Sequence, residues 1–398
     1  MIWRYKKWMN AARAGMIVIF LPLAAYAIDI QLGPPPGDLA PDAQNTLTLV
    51  AQQFNDTHPG IRAIIAPNNP DFDETTATQS DLGDVLFIPG PSYGRSSVIA
   101  AYAERGWLVP LDEKLQAPDV NQQDFFPNLW PMVRYQGQTW AVPLLVRSWG
   151  VAVDASRYDP EQVRTRLQNW ETFSNFVGEL AVDANNDGVS DSTLIGLATP
   201  PDVLWEALFL SRGGNPNDPN SFSPNSNAWQ SAMQDFSQIL RVNRHSLRTS
   251  RTAATNPDAG SEVVRFVHND FGGLASLPGL KRSNPDWVLL PAPGTAALPP
   301  LDTTVLAVKK SSAEREAAAW EFVKWLVSPD TMRAVFPLNA LTPLRKSVAY
   351  TGTEPEVQEF ARQIERMKFP TPVSQTSPHC DDLTGQLKLV LASTGAEL

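Results

Sequence analysis

The chain has 398 residues, 43% of them hydrophobic, which is enough for a sizeable core and for two domains of ordinary size. Its formal net charge is −10. The first 27 residues contain Lys and Arg but no Asp or Glu, so the rest of the chain is more negatively charged than the whole. Such a body repels phosphate backbones, which argues against nucleic acid as a partner and against docking on anionic lipid. The single cysteine, Cys380, excludes an intramolecular disulfide and a cysteine-built zinc site.

The first 27 residues are typical of an export signal. A basic segment, residues 1–13, precedes an apolar run at 14–25, and Ala25-Tyr26-Ala27 is the small-x-small pattern that signal peptidase cleaves. The apolar run is shorter than the roughly 20 residues that span a bilayer as a helix. Residue 28 is Ile and not Cys, so no lipid anchor is expected. We predict cleavage after Ala27 and a soluble exported chain, with an uncleaved anchor as the alternative.

The following residues alternate between strand and helix patterns. Ile28–Leu32 and Ile61–Ile65 are strand-like segments on either side of a helical pattern at residues 47–54. Residues 84–88 form a continuous apolar run, typical of a strand that is buried on both faces, and a helix pattern follows at 96–105. This order predicts an α/β fold in which helices cover a parallel sheet.

The second half of the chain continues this alternation. Residues 138–153 form an apolar region that is too long for one strand, and Pro143 is predicted to divide it. Ser311 and Glu314 have the spacing of a capping box at the start of a helix. Further patterns predict helices at 169–180, 205–210, 228–240 and 356–367, and strands at 264–267, 287–290 and 303–308.

The sharpest sign of an enzyme is the segment Gly90-Pro-Ser-Tyr-Gly94, which matches the G-x-S-x-G nucleophile elbow between a strand and a helix. A hydrolase using Ser92 would also need an acid and a histidine. The histidines that follow in the chain are His245, His268 and His379. Only about two strands precede the motif, however, and prolines replace the N–H donors expected in an oxyanion loop. The favoured alternative is a Gly/Pro turn at the carboxyl end of a strand.

One acidic segment resembles the first part of a calcium-binding loop. Oxygen-bearing side chains stand at its positions 1, 3, 5 and 9, namely Asp183, Asn185, Asp187 and Asp191. Gly188 permits the sharp turn, but Leu194 stands where a bidentate glutamate normally supplies two ligands. The favoured interpretation is a polar connector between a helix and a strand, with a bound Ca²⁺ as the alternative.

Trp149 and Trp205 differ from the other tryptophans because they flank breaks in the secondary structure. Flat apolar rings at such positions suit the apolar face of a sugar ring. Each ring fits the core of the protein equally well.

Six segments occur in a characteristic order: FNDTHPGI (54–61), DVLFI (84–88), AERGWLVPLD (103–112), YQGQTWAVP (135–143), AAWEFVKWLVSP (318–329) and TPLR (342–345). Together they resemble the extracellular solute-binding proteins of ABC importers, a family that includes maltose- and glycerol-phosphate-binding proteins. The resemblance implies a two-lobe periplasmic-binding-protein fold of type II, each lobe a mostly parallel sheet flanked by helices. The expected lobes are residues 28–146 plus 302–345 and residues 147–301 plus 346–398, with hinge crossings near Val146, Leu301 and Arg345.

The resemblance also implies a function. It predicts a monomeric periplasmic protein without a cofactor, which holds a carbohydrate-like solute between its lobes and delivers it to the transmembrane subunits of an ABC permease. Ligands of open α/β sheets bind beyond the carboxyl ends of the strands. The expected solute contacts are Ser92, Tyr93, Arg147, Trp149, Trp205, Asp302 and Arg345. Arg147 and Arg345 would favour an anionic group, but arginine could equally pair with Asp302. The competing functions are an exported serine hydrolase that uses Ser92 and a binding protein that feeds a sensor.

Overall fold

A computed structural model describes residues 28–33, 41–67, 73, 76–117, 120–182, 192–193, 195–196, 201–242, 263–268, 280–281, 284–294, 297–335 and 342–394. The strands are β1 (Ile28–Leu32), β2 (Ile61–Ile65), β3 (Val85–Pro89), β4 (Arg134–Tyr135), β5 (Gln138–Thr139), β6 (Val142–Arg147), β7 (Trp149–Asp154), β8 (Ala181–Val182), β9 (Ser192–Thr193), β10 (Ile195–Gly196), β11 (Val264–His268), β12 (Trp287–Leu290) and β13 (Asp302–Val308). The helices are α1 (Pro41–Thr57), α2 (Val98–Glu104), α3 (Asp112–Leu115), α4 (Pro160–Arg166), α5 (Trp170–Glu179), α6 (Pro201–Ser211), α7 (Asn227–Val242), α8 (Ala313–Leu326), α9 (Pro329–Val335), α10 (Lys346–Ala349), α11 (Pro355–Arg366) and α12 (His379–Thr394), and 3-10 helices cover Gln79–Asp81, Gln122–Asp124 and Pro127–Val133.

The first of two main sheets has five strands in the order β2-β1-β3-β13-β6. β1 pairs in parallel with β2 and β3, whereas β13 runs antiparallel to β3 and β6. The apolar residues of β3 are buried, and both α2 and α8 pack against this strand. The sequence prediction of a strand covered on both faces is therefore confirmed. We call this sheet, with α1, α2 and α8, the first lobe.

The second main sheet has four strands in the order β10-β11-β7-β12. β10 and β11 are parallel, and β7 runs antiparallel to both of its neighbours, β11 and β12. α4 and α11 pack against β7 and β12, while α7 packs against α5, α6 and α12. We call this sheet and these helices the second lobe.

One reversed strand in each sheet shows where the chain passes between the lobes. β6 ends at Arg147 and β7 begins at Trp149, so Ser148 alone separates strands of different sheets. β12 and β13 make the second crossing in the opposite direction. We call the sheet edge at which the chain passes between the lobes the crossing edge. β7 and β13 start at this edge, whereas the strands beside them end there. β7 and β13 are therefore antiparallel to their neighbours. The carboxyl ends of β3, β6, β11 and β12 consequently meet at the edge where the lobes face each other. These features confirm a mixed α/β fold with two lobes.

Two local predictions were wrong. Pro143 does not divide the long apolar region but lies inside β6, opposite Val305, where the register of the β6–β13 pair shifts. An edge strand with an irregular register tolerates a residue that cannot donate a ladder hydrogen bond. The cap of α8 is Ser312, whose hydroxyl accepts from the N–H of Arg315 at 3.4 Å, and not Ser311.

Several predictions fall outside the described residues, namely the export signal at 1–27, the candidate calcium loop at 183–191 and His245. Among the helices that the structure describes, none combines the length and the apolar character needed to cross a bilayer.

Candidate functional site

The carboxyl end of β3 lies directly against the start of β13. The N–H of Gly90 donates to the carbonyl of Thr303 at 2.9 Å. A Cβ atom on Gly90 would lie 1.8 Å from the Thr303 hydroxyl oxygen, so this close approach requires glycine. The loop after β3 is thereby fixed beside Asp302, at the edge that faces the second lobe.

Arg147 and Asp302 form an ion pair at the same edge. They are cross-strand partners at the end of β6 and the start of β13, and Arg147 Nη2 lies 2.6 Å from Asp302 Oδ2. Their side chains remain 44% and 50% exposed. Of the two roles that the sequence left open for Arg147, pairing with Asp302 is the one found. Both side chains are partly open to solvent, so a polar molecule can contact this pair.

Ser92 and Tyr93 follow β3 but differ in their surroundings. Ser92 is exposed, whereas Tyr93 is 5% exposed and its hydroxyl donates to the carbonyl of Lys368 in the chain after α11. Burial raises the pKa of Tyr93 well above its ordinary value, and the charge of Glu206 raises it further. Ser92 is thus open to a solute, while Tyr93 contacts the opposite lobe.

Glu206, on α6 of the second lobe, lies at this boundary. Burial raises its pKa well above the ordinary value, and the carboxylate of Asp202 adds to the shift. Arg95, in the loop after β3, opposes the shift through its positive charge. Glu206 is half-buried. Groups of both lobes therefore meet here electrostatically.

The two tryptophans expected to contact a solute are in the core. Trp149 is 1% exposed, packs edge to face on Phe266, and donates its indole N–H to the carbonyl of Pro299 at 3.0 Å. Trp205 is fully buried and stacks on Phe209 with ring centroids 5.0 Å apart. Both positions fit the core interpretation, because neither ring offers a face to a solute in this arrangement.

Arg345 is also buried, and its contacts lie within the first lobe. It is 1% exposed, and its guanidinium donates to the carbonyls of Val120 at 2.7 Å and Val327 at 2.5 Å. Asp124 lies 3.4 Å away, and the guanidinium carbon is 4.4 Å from the ring centroid of Phe125. Arg345 therefore joins three parts of the first lobe as a structural residue, so it supplies no charge to the cleft here.

The geometry gives no support to a hydrolase. Ser92 has ordinary backbone dihedrals outside the left-handed region, whereas a nucleophile elbow holds its serine in a strained turn. None of the histidine side chains that the structure describes is hydrogen-bonded to Ser92, and His379 Nδ1 pairs instead with Asp382 Oδ2 at 3.0 Å. Among the described residues, no group of three or more His, Cys, Asp or Glu side chains is arranged to hold a metal ion.

Sequence reasoning missed Glu206, Arg95 and Lys368. A signal for Glu206 was present, because in the α6 sequence PDVLWEALFLS it stands within the apolar run Val203–Leu210, and a charge there needs a special environment. Nothing local to residues 368–377 indicates that this segment contacts the loop after β3, which lies far away in the sequence.

The chain matches a known protein family over most of its length. A profile of the family described as bacterial extracellular solute-binding protein matches residues 42–361. No curated protein sequence matches the chain significantly.

Solved structures share the fold at low sequence identity. The sugar-binding protein MalE from Xanthomonas citri aligns with a TM-score of 0.69 at 15% identity, covering 92% of this chain and 91% of that one. UgpB from Mycobacterium tuberculosis, solved with glycerophosphocholine, gives 0.61 and 17%, covering 92% and 97%. Thiaminase I from Bacillus thiaminolyticus gives 0.62 and 14%, covering 92% and 99%. The profile match spans most of the sequence, and the chain therefore belongs to the family of bacterial extracellular solute-binding proteins.

Proposed function

We propose that this protein captures a carbohydrate-like solute between its lobes and delivers it unchanged to the transmembrane subunits of an ABC permease. The observation that carries the proposal is the polar edge where the strands of both lobes end. There the half-exposed Arg147–Asp302 pair lies beside the loop that holds the exposed Ser92. In open α/β sheets, this is where ligands bind.

The chemistry of this edge suits a molecule rich in hydroxyl groups. A hydroxyl both donates and accepts, so one solute can contact the half-exposed Arg147–Asp302 pair and the exposed Ser92 together. Glu206 of the second lobe and Arg95 of the first lobe, whose charges interact, add further polar groups where the lobes meet. The similarity to a sugar-binding protein and to a structure with glycerophosphocholine supports sugars, oligosaccharides and polyol derivatives as the solute class.

Binding between lobes explains how the solute would be recognised by the importer. A solute that contacts both lobes favours the arrangement in which they are close, because its affinity for that arrangement is greater. We propose residues 28–146 plus 302–345 and 147–301 plus 346–398 as the moving units. The single-residue crossing at Ser148 and the β12–β13 connection support this division.

Further parts of the proposal rest on family membership and on the sequence. The protein acts in the periplasm as a monomer without a cofactor, after its leader is cleaved following Ala27. Genes for two permease subunits beside its own would favour an importer over a sensor as the recipient of the solute.

A thermal-shift screen of the mature protein against sugars, oligosaccharides and glycerol phosphodiesters tests the function. A ligand at 100 times its dissociation constant adds about 2.7 kcal/mol to the free energy of unfolding, which gives a clear shift. We expect one chemical group of the panel to raise the melting temperature. No shift with any of these compounds would contradict the proposed solute class.

A further inference from the structure

The outer edge of the first lobe's sheet is β2, which pairs only with β1 among the strands that the structure describes. The N–H of Ala66, directly after β2, donates to the carbonyl of Leu32 in β1 at 2.8 Å. Since main-chain groups alternate in direction along a strand, the N–H and carbonyl groups of Ala63 and Ile65 point away from β1. An open edge of this kind can take up a strand from another molecule.

The side-chain amide of Asn55 occupies the middle of this edge. Asn55 lies near the end of α1, and its Oδ1 accepts a hydrogen bond from the N–H of Ala63 at 2.7 Å. Its Nδ2 group donates to the carbonyl of the same residue at 3.1 Å. A side-chain amide carries the same kinds of donor and acceptor as a peptide group. The two bonds that a neighbouring strand would make with Ala63 are therefore made within the chain.

The strand itself is suited to pairing with a second copy of β2. Ile64 is 37% exposed, so an apolar side chain stands beside the open edge. In an antiparallel pair of two β2 strands centred on Ala63, Ile64 of one copy lies opposite Arg62 of the other, and both side chains are on the exposed face. Ala63 of each copy would then donate to and accept from Ala63 of the other. The Asn55 amide stands where that second strand would bind.

We propose that Asn55 blocks the β2 edge and so prevents a second copy of this chain from adding its own β2 strand there. The inference goes beyond the proposed function, which assumes a monomer but does not explain what keeps the protein monomeric. α1 and β2 both belong to the first lobe, so the block acts in the same way in every arrangement of the two lobes.

Hydrogen exchange of the unaltered protein tests the block without any substitution. The amides of Ala63 and Ile65 both point away from β1, but Asn55 binds only that of Ala63. We expect the Ala63 amide to exchange severalfold more slowly than the Ile65 amide in NMR spectra of the monomer. Equal exchange of the two amides would overturn the proposal, because Asn55 would then not occupy the edge in solution.

Sedimentation velocity over a series of protein concentrations tests what the block prevents. Asn55→Ala frees the N–H and carbonyl of Ala63, and we expect self-association to strengthen by roughly tenfold or more, the equivalent of one or two neutral hydrogen bonds. The matched control is Gln52→Ala, which removes an exposed amide from the same helix and should leave the protein as monomeric as before. An Asn55→Ala protein that associates no more strongly than this control would overturn the proposal.

A charge at position 64 shows whether the association uses the β2 edge. In the Asn55→Ala protein, Ile64→Lys places a positive charge opposite Arg62 of the second copy, and Ile64→Glu places a negative charge there. We expect the Ile64→Lys protein to associate severalfold more weakly than the Ile64→Glu protein, although both lose the same apolar side chain. Equal association of the two would locate the contact elsewhere and overturn the proposal. None of these measurements involves a solute, so their outcome is independent of the thermal-shift screen.

Discussion

Arg147 and Asp302 lie opposite each other at two of the points where the chain changes lobes, with Nη2 and Oδ2 2.6 Å apart. Arg147 is the last residue of β6 and Asp302 is the first residue of β13. The pair therefore ties the two crossings together while both side chains remain half exposed. This makes Arg147 the best single position for separating a role in stability from a role in solute binding.

Replacement of Arg147 by Gln is expected to weaken solute binding by tenfold or more, in calorimetry with a solute that the screen identifies. Its effect on stability should be small, at most about 1 kcal/mol, because exposed ion pairs contribute little. The control is Arg62→Gln, which breaks a similarly exposed cross-strand pair with Asp29 in the same sheet. Equal affinities for the two variants would remove Arg147 from the site.

Replacement of Trp149 by Ala is expected to lower the free energy of unfolding by about 3–5 kcal/mol in urea denaturation, the usual cost of removing a buried large aromatic side chain. The ring is enclosed by core residues, and its N–H is bonded to Pro299. Solute affinity of the folded protein should change little. A large loss of affinity with normal stability would instead show that the indole contacts the solute.

Replacement of Arg345 by Met is expected to destabilise the protein by about 3–5 kcal/mol, because it leaves the carbonyls of Val120 and Val327 without this donor and removes the positive charge beside Asp124. The comparison variant is Arg333→Met, which removes an exposed arginine that pairs within its own helix with Asp330. Urea denaturation of both should show a large loss only for the first. Similar stabilities would contradict the structural role assigned to Arg345.

The pKa of Glu206 predicts a pH dependence of stability. Because its pKa is raised in the folded protein above the ordinary value of 4.5, the folded state binds more protons than the unfolded state above that pH. Stability should therefore fall as the pH rises from about 4.5 towards the raised pKa. Glu206→Gln should raise the melting temperature at pH 7.5 and flatten this slope, whereas Glu314→Gln, at an exposed position, should do neither. An unchanged slope in Glu206→Gln would contradict the burial of this carboxyl group.

A fluorophosphonate probe should leave Ser92 unlabelled. No histidine side chain that the structure describes is hydrogen-bonded to Ser92, and Ser92 has no positive φ that would strain its backbone as in a nucleophile elbow. Labelling that disappears in Ser92→Ala would establish a hydrolase and contradict the carrier function.

Much of the fold could be predicted from the sequence because its signals are local. Nearby residues alone predict the buried strand β3, the helix that begins after Ser312 and the apolar region at residues 138–153. The sequence prediction was wrong where contacts with a distant strand determine the structure. Pro143 is the example, because its position inside β6 depends on the register of β6 with β13.

The candidate site was harder to predict because it depends on contacts between distant segments. Arg147 and Asp302 were expected at the crossing edge, and the structure brings them together there. Tyr93 and Arg345 were expected to contact the solute, but their partners Lys368 and Val120 come from remote parts of the chain. Tryptophan at a break in secondary structure fits a core and a binding face equally well, so the pattern alone could not place Trp149 or Trp205.

Equilibrium dialysis of the mature protein against a mixture of sugars and glycerol phosphodiesters, with mass spectrometry of the retained compound, tests the central claim most directly. We predict that one solute is held in a one-to-one complex and is recovered chemically unchanged when the protein is denatured. Retention of no compound, or recovery of a cleaved one, would contradict a protein that binds between two lobes and releases its solute intact.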